Sequence, residues 1–197
     1  MSSLAGPAPR VVRREQCADI AWRNGAGTTR VVAQDPADAA YDDFSWRVSL
    51  AQIARSGPFS SFPGVERHFV ALGEHGLTLT VDGRPQALGR FDTVTFPGEA
   101  PTSCDLPAGT TASALNVMTR VGSVSAEIAV LNGATEFELA APDHGDLLMV
   151  ALEAGSVVEG VGDLPALDAV WCRDGQHLRA SAVGRLLAVT LRAGGAP

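Results

Sequence analysis

Two arginines lie on alternating strands, one between small polar neighbours and one in an apolar row. Phe44 to Ala51 alternates strictly, with Phe44, Trp46, Val48 and Leu50 on one face and Ser45, Arg47, Ser49 and Ala51 on the other. Arg67 shares its face with Val65, Phe69 and Ala71, an otherwise apolar row. A guanidinium in such a row must reach solvent, pair with an acid such as Glu66, Asp92 or Glu99, or meet an anion, because a desolvated unpaired charge is too costly. The planar fork of an arginine matches a carboxylate, so the chemistry these residues offer is recognition of a small acid. Asn116, between Ala114 and Met118, adds a polar group to another inward face, and Trp22, Asn24 and Thr29 supply an aromatic cover and further hydrogen-bonding groups. The candidate ligand-binding residues are therefore Arg47, Arg67, Asn116, Trp22, Asn24 and Thr29. No catalytic residue is assigned.

Other chemistries find little support. His68, His75, His144 and His177 form no HxH or HxxxH pair, the spacing that turns two ligands into one barrel. They read as surface or cap residues and no metal is expected, although His68, His75 and Glu66 would be the first ligands to test if one were found. Cys104 reads as a small core residue, since a nucleophile would need a readable His and Asp partner. There is no GxxxxGK[ST] loop and no GxSxG elbow, and Asn24-Gly25-Ala26-Gly27 lacks the strand-to-helix setting of a nucleotide loop, so no cofactor is expected. With 15 basic residues against 22 acidic ones the chain carries −7, which excludes a general nucleic-acid binder.

The three cysteines, Cys17, Cys104 and Cys172, form no CxxC pair and suit free thiols in a reducing cytosol. Met1 to Gln16 carries no secretory h-region. The longest apolar stretch, Leu147 to Val158, is broken by Glu153 and Gly155 and falls short of the roughly 20 residues of a membrane helix. A cytoplasmic protein with no membrane partner is expected.

The elements that must position these side chains are strands. The 21 glycines and 12 prolines punctuate the chain at short intervals, as in a sandwich or barrel, and helical periodicity is scarce. Leu77 to Val81 alternates and runs into Asp82-Gly83, a type I′ turn dipeptide, so a hairpin follows, with its return strand at an edge because it carries Pro85. Further strands are expected at Val65 to Leu72, Phe91 to Phe96, Ala112 to Thr119, Glu136 to Ala140, Leu147 to Leu152, Val170 to Arg173 and Arg185 to Leu191, the last apolar on both faces and so central. A change of module near Val121 to Ser125 divides the chain into 1–120 and 121–197. The fold class is all-β.

Five ordered segments make the pattern specific. Trp22-Arg23-Asn24-Gly25-Ala26-Gly27-Thr28-Thr29-Arg30, Phe44-Ser45-Trp46-Arg47-Val48-Ser49-Leu50-Ala51, Gly57-Pro58-Phe59-Ser60, Phe62-Pro63-Gly64-Val65-Glu66-Arg67 and Leu115-Asn116-Val117-Met118-Thr119-Arg120 together resemble the HutD/Ves family of cupin-like proteins, over roughly residues 10 to 190. The resemblance implies a bicupin of two RmlC-like jelly-roll β-barrels and a role around histidine utilisation, as a small-molecule-binding regulator or modulator. Family members often carry an acid after the Thr-Arg pair, where this chain has Val31, and an Asp-Phe pair where it has Ala114-Leu115, so the pocket here is expected to be more positive. The expected function is binding of a small carboxylate such as urocanate or formylglutamate by a monomer or homodimer. The alternatives are a metal-independent isomerase or hydrolase acting on a similar acid, drawing on His68, Glu66 or Cys104 as base, and a protein-interaction module.

Overall fold

The computed structural model describes residues 8–133 and 135–194. Nineteen strands and one 3-10 turn at Arg14–Gln16 make up the regular structure, and no α-helix occurs among the described residues. The chain divides into two compact units, 17–124 and a second built from 1–16 with 125–197. The module boundary thus falls inside the expected Val121 to Ser125 window, but assigning all of 1–120 to one module needs correction. The first strand, β1 (Arg10–Val12), pairs antiparallel with a strand near the other end of the chain, and Arg13 and the backbone of Arg14 both bond to Asp168. Residues 1–7 and 195–197 of the two expected modules lie outside the described residues.

The 17–124 unit contains β2 (Ile20–Ala21), β3 (Gly27–Asp35), β4 (Trp46–Ile53), β5 (Gly57–Pro58), β6 (Val65–Ala71), β7 (Leu77–Val81), β8 (Arg84–Leu88), β9 (Thr93–Pro97), β10 (Thr102–Asp105) and β11 (Ala112–Arg120). They form a six-stranded sheet in the order β2-β3-β4-β11-β6-β9 and a four-stranded one in the order β5-β10-β7-β8. Side chains from both sheets, among them Ile53, Phe69, Leu77, Leu79, Leu88, Phe96, Cys104 and Ala112, meet in one buried cluster. The Asp82-Gly83 turn takes the expected positive φ angles, 49° and 72°, and β8 with its Pro85 lies at a sheet edge as expected.

In the other unit, β1, β12 (Val124–Leu131), β14 (Gly145–Ala151), β17 (Ala169–Arg173) and β19 (Leu186–Ala193) form a sheet in the order β1-β17-β14-β19-β12. The strands β13 (Thr135–Ala140), β15 (Ser156–Val158), β16 (Gly162–Leu164) and β18 (His177–Ala182) form a second, in the order β13-β18-β15-β16. The doubly apolar β19 is flanked on both sides, by β14 and β12, but sits one place from the edge rather than at the centre. The hydrophobic core of this unit is built on Leu147, Met149, Val158, Leu164, Val170, Cys172, Leu178 and Leu186, with Ser156 and Asp168 its buried polar residues.

One expected face assignment changes. The strand carrying Arg47 begins at Trp46, not Phe44, because the backbone turns in before it: Ser45 N–H donates to Asp35 O at 2.7 Å. Phe44 therefore leaves the Trp46 face and packs with Phe62, Val65 and Met118 on the arginine side.

Candidate functional site

Buried polarity is concentrated in the 17–124 unit. Arg47, Ser49, Arg67, His68, Thr102, Asn116 and Thr119 are buried there, against Ser156 and Asp168 in the other unit. Register explains how three of them meet. Arg47 on β4 pairs with Met118 on β11, Met118 pairs with Arg67 on β6, and Arg67 pairs with Phe96 on β9, so these four side chains form one row across the sheet. Ser49, Asn116 and Phe69 form the next row on the same face. That face is the inward one, since Phe69, Ala71, Phe96, Ala112 and Ala114 on it belong to the core cluster.

Arg67 is 6% exposed, and its Nε donates to Asn116 Oδ1 at 2.9 Å. Among the described residues this is its one hydrogen bond: Nη1 and Nη2 have no protein acceptor there, and no carboxylate lies within salt-bridge distance. The expected structural partners are occupied or absent: Glu66 lies beside His68, Asp92 accepts from Gly89 N–H, and Glu99 is solvent-exposed. Aromatic rings neighbour the guanidinium instead, with the Phe59 ring centroid 4.8 Å and the Phe96 centroid 5.5 Å from Cζ. Burial, with the like charge of Arg47 second, holds Arg67 down to about 10 from an ordinary 12.5.

Arg47 is equally buried. Its Nη1 donates to Tyr41 O at 2.8 Å and its Nη2 reaches Met118 Sδ at 3.5 Å, a weak acceptor, while Nε has no partner. The rings of Phe44 (4.4 Å), Phe62 (5.4 Å) and Tyr41 (5.5 Å) surround its Cζ. Burial pushes Arg47 down as well, opposed at longer range by Tyr41 and Asp42.

The remaining candidates separate from this pair. Thr29 lies opposite Ala51 on β4 and accepts from Trp22 Nε1 at 2.7 Å, and Trp22 packs edge-on against Phe59 with centroids 6.1 Å apart. Trp22 thus braces the ring that covers Arg67. It also fixes Gly27, where a Cβ would lie 3.2 Å from the Trp22 ring and 2.2 Å from Gln52 O. Asn24 does not join the site: it is exposed, and its Oδ1 accepts from Ala26 N–H at 3.0 Å to shape the turn before β3.

The residues that sequence reasoning missed are the rings and the thioether: Tyr41, Phe44, Phe59, Phe62, Phe96 and Met118. A signal for two of them was present in the segments Gly57-Pro58-Phe59-Ser60 and Phe62-Pro63-Gly64, whose loop brings Phe59 over Arg67 and Phe62 over Arg47. At the two positions of missing acids, Ala114 is fully buried on the inward face and Val31 is half-buried opposite Ser49, so neither supplies a counter-charge.

His68 is not a surface residue. It is 8% exposed on the face of β6 opposite Arg67, shares a 2.8 Å hydrogen bond between Nδ1 and Thr95 Oγ1, and places Nε2 3.3 Å from Glu66 Oε1 without hydrogen-bond alignment. Burial lowers its pKa and Glu66 partly offsets this. His75 is exposed before β7 and does not approach it. Among the described residues no group of three or more His, Cys, Asp or Glu side chains could hold a metal ion. Cys104 lies in the arginine-bearing unit's core, where burial raises its pKa and keeps it a thiol. A cavity of about 460 Å³ opens between the edges of β8 and β9, lined by Leu79, Val81, Asp82, Arg84, Gln86, Val94, Thr95, Phe96 and Pro97; Phe96 also lies against Arg67, but neither Arg67 nor Arg47 lines the cavity.

Fold and site together define an all-β protein with two units, one with an apolar core and one with a core that holds paired arginines and no acid. Residues 14–188 match the HutD family model, and the chain belongs to the HutD family. It is 38% identical over 101 residues to an uncharacterised 21.2 kDa protein in the hutC 3′ region of Pseudomonas putida, a match covering 51% of this chain and 53% of that one. It is 40% identical over 110 residues to Protein Ves of Citrobacter koseri, covering 55% and 56%. The chain spans about half the length of the curated relatives it matches. The solved HutD of Pseudomonas fluorescens SBW25 superposes with a TM-score of 0.83 at 26% identity, over 95% of this chain and 100% of that one. No helix among the described residues is long and apolar enough to cross a membrane.

Proposed function

We propose that this chain is a cytoplasmic, small-molecule-binding bicupin that regulates or modulates histidine utilisation by taking up a small carboxylate, with urocanate and formylglutamate as the candidate ligands. The observation that carries this reading is Arg67: a guanidinium 6% exposed, with two rings near its Cζ and oriented by Asn116, whose two terminal nitrogens have no protein acceptor among the described residues. An end-on carboxylate satisfies both nitrogens at once and supplies the missing charge, an interaction of about 1.5 to 3 kcal/mol. Family membership and the hutC-region relative support the pathway context.

Binding is favoured over catalysis by the state of the candidate bases. Cys104 is kept protonated by burial, and His68 faces away from Arg67. The test is a thermal-shift titration with urocanate and formylglutamate. A ligand at 100 times its Kd stabilises by about 2.7 kcal/mol, which raises the Tm of a chain of this size by about 5 to 10 °C. Arg67→Met abolishes the shift and Arg67→Lys restores part of it, because an ammonium lacks the bidentate edge. The absence of any shift with either acid at millimolar concentration overturns the reading.

A further inference from the structure

The two buried arginines leave complementary edges open. On Arg67 the Nε is bonded to Asn116, so the free donors are the end-on pair, Nη1 and Nη2. On Arg47 the Nη1 is bonded to the Tyr41 carbonyl, so the free donors are the side-on pair: Nε, buried without a partner, and Nη2, whose one contact is a thioether. Each is a bidentate carboxylate edge. Phe59 and Phe96 lie near the Arg67 guanidinium and Tyr41, Phe44 and Phe62 near that of Arg47, and none of these rings supplies an acceptor for the unfilled N–H groups. Both side chains stand on the inward face in one row, separated by the single strand that carries Met118, so their Cα atoms lie about 10 Å apart, two strand spacings.

Charge leads to the same conclusion. Two cations share this interior, and among the described residues neither has a carboxylate within salt-bridge distance; Asp42 opposes the burial of Arg47 only at longer range. A monocarboxylate on Arg67 would leave Arg47 with its side-on edge unfilled and its charge unmatched in a desolvated setting.

Resting on the carboxylate reading above, we infer that the ligand is a short dicarboxylate, with one carboxylate end-on at Arg67 and the other side-on at Arg47, bridging the strand that carries Met118. Of the two candidate acids, the inference selects the dianionic type over the planar monoacid.

The experiment is calorimetric titration of the full chain with linear dicarboxylates from malonate to adipate, and with the monoamide of the best-binding one, which keeps shape and length and loses one charge. The wild-type protein is expected to prefer the diacid to its monoamide by at least about tenfold. Arg47→Lys keeps the charge and a donor for the Tyr41 carbonyl but removes the side-on edge; it is expected to lose most of that preference while still binding the monoamide. Arg67→Met is expected to bind neither. Arg47→Met checks the same loss of preference without the charge, and Arg47→Lys covers the case in which it does not fold. Equal affinity of the wild type for diacid and monoamide overturns the two-carboxylate inference and leaves the carboxylate reading standing. Failure of the diacids, the monoamide, urocanate and formylglutamate alike to bind overturns both.

Discussion

Replacing Arg67 by methionine is expected to stabilise the ligand-free protein. The side chain is held down to about 10, well below the ordinary guanidinium range, chiefly by burial. At about 1.4 kcal/mol for each tenfold change in acidity, keeping this cation charged inside the unit's core costs about 3 kcal/mol. The sign follows from the ionisation of the two states. Below about pH 10 both folded and unfolded chains carry the charge and the cost is fully present; it fades as pH rises toward 12.5. Methionine removes it and fills much of the same volume between Phe59 and Phe96 with a thioether that packs well on rings. Against this, Asn116 Oδ1 loses its donor at 2.9 Å, at a cost of about 1 to 2 kcal/mol. The net gain is about 1 to 2 kcal/mol, a rise in Tm of a few degrees for a chain of this size. Scanning calorimetry of the ligand-free wild type and variant measures it directly. A drop in Tm of several degrees for Arg67→Met would refute the reasoning, because it would mean that the arginine is already compensated in the folded state.

Two further outcomes follow from the same ledger of buried groups. Because burial lowers the pKa of His68, the unfolded chain takes up a proton that the folded chain resists, so stability falls as pH drops through and below 6.5; urea midpoints between about pH 7.5 and 5.5 should show a shallower pH slope in His68→Gln than in the wild type, and an unchanged slope would count against it. Cys104 and Cys172 are held above the ordinary thiol range by burial, Cys172 at about 11, so iodoacetamide followed by mass spectrometry should leave both unmodified in the native protein and modified in denaturant; native labelling at the denatured rate would contradict their placement.

What the sequence made legible was whatever lay within one strand or one turn. The alternation around Arg47 and Arg67, the Asp82-Gly83 hairpin and the edge position of Pro85 are all local, and each appears in the structure. Arg67 and Asn116 were chosen because polar residues on apolar faces need a reason, Arg47 because its small neighbours leave room beside the guanidinium, and the register of β4, β11 and β6 brings them together. Asn24 failed because its side chain closes its own turn, a use that an Asn before glycine offers as readily as ligand binding. The aromatic enclosure was illegible for a different reason. Phe59, Phe62 and Tyr41 sit outside the long strands, and only tertiary packing sets their rings on the guanidinium groups. Likewise no periodicity in Arg10–Val12 shows that it pairs with Ala169–Arg173.

That pairing has a consequence for biosynthesis. Arg13 and its partner Asp168 are 155 residues apart in the chain, while the unit that carries the arginines is contiguous and complete by residue 124. At translation rates of about 5 to 20 residues per second, β1 leaves the ribosome about 8 to 30 s before the strand it pairs with exists. β1 is therefore made long before its partner, whereas every strand of the 17–124 unit finds its own partners within that contiguous stretch. A chain halted between the two stages carries a β1 whose partner strand is still unmade, the state in which its edge is most open to pairing with another chain.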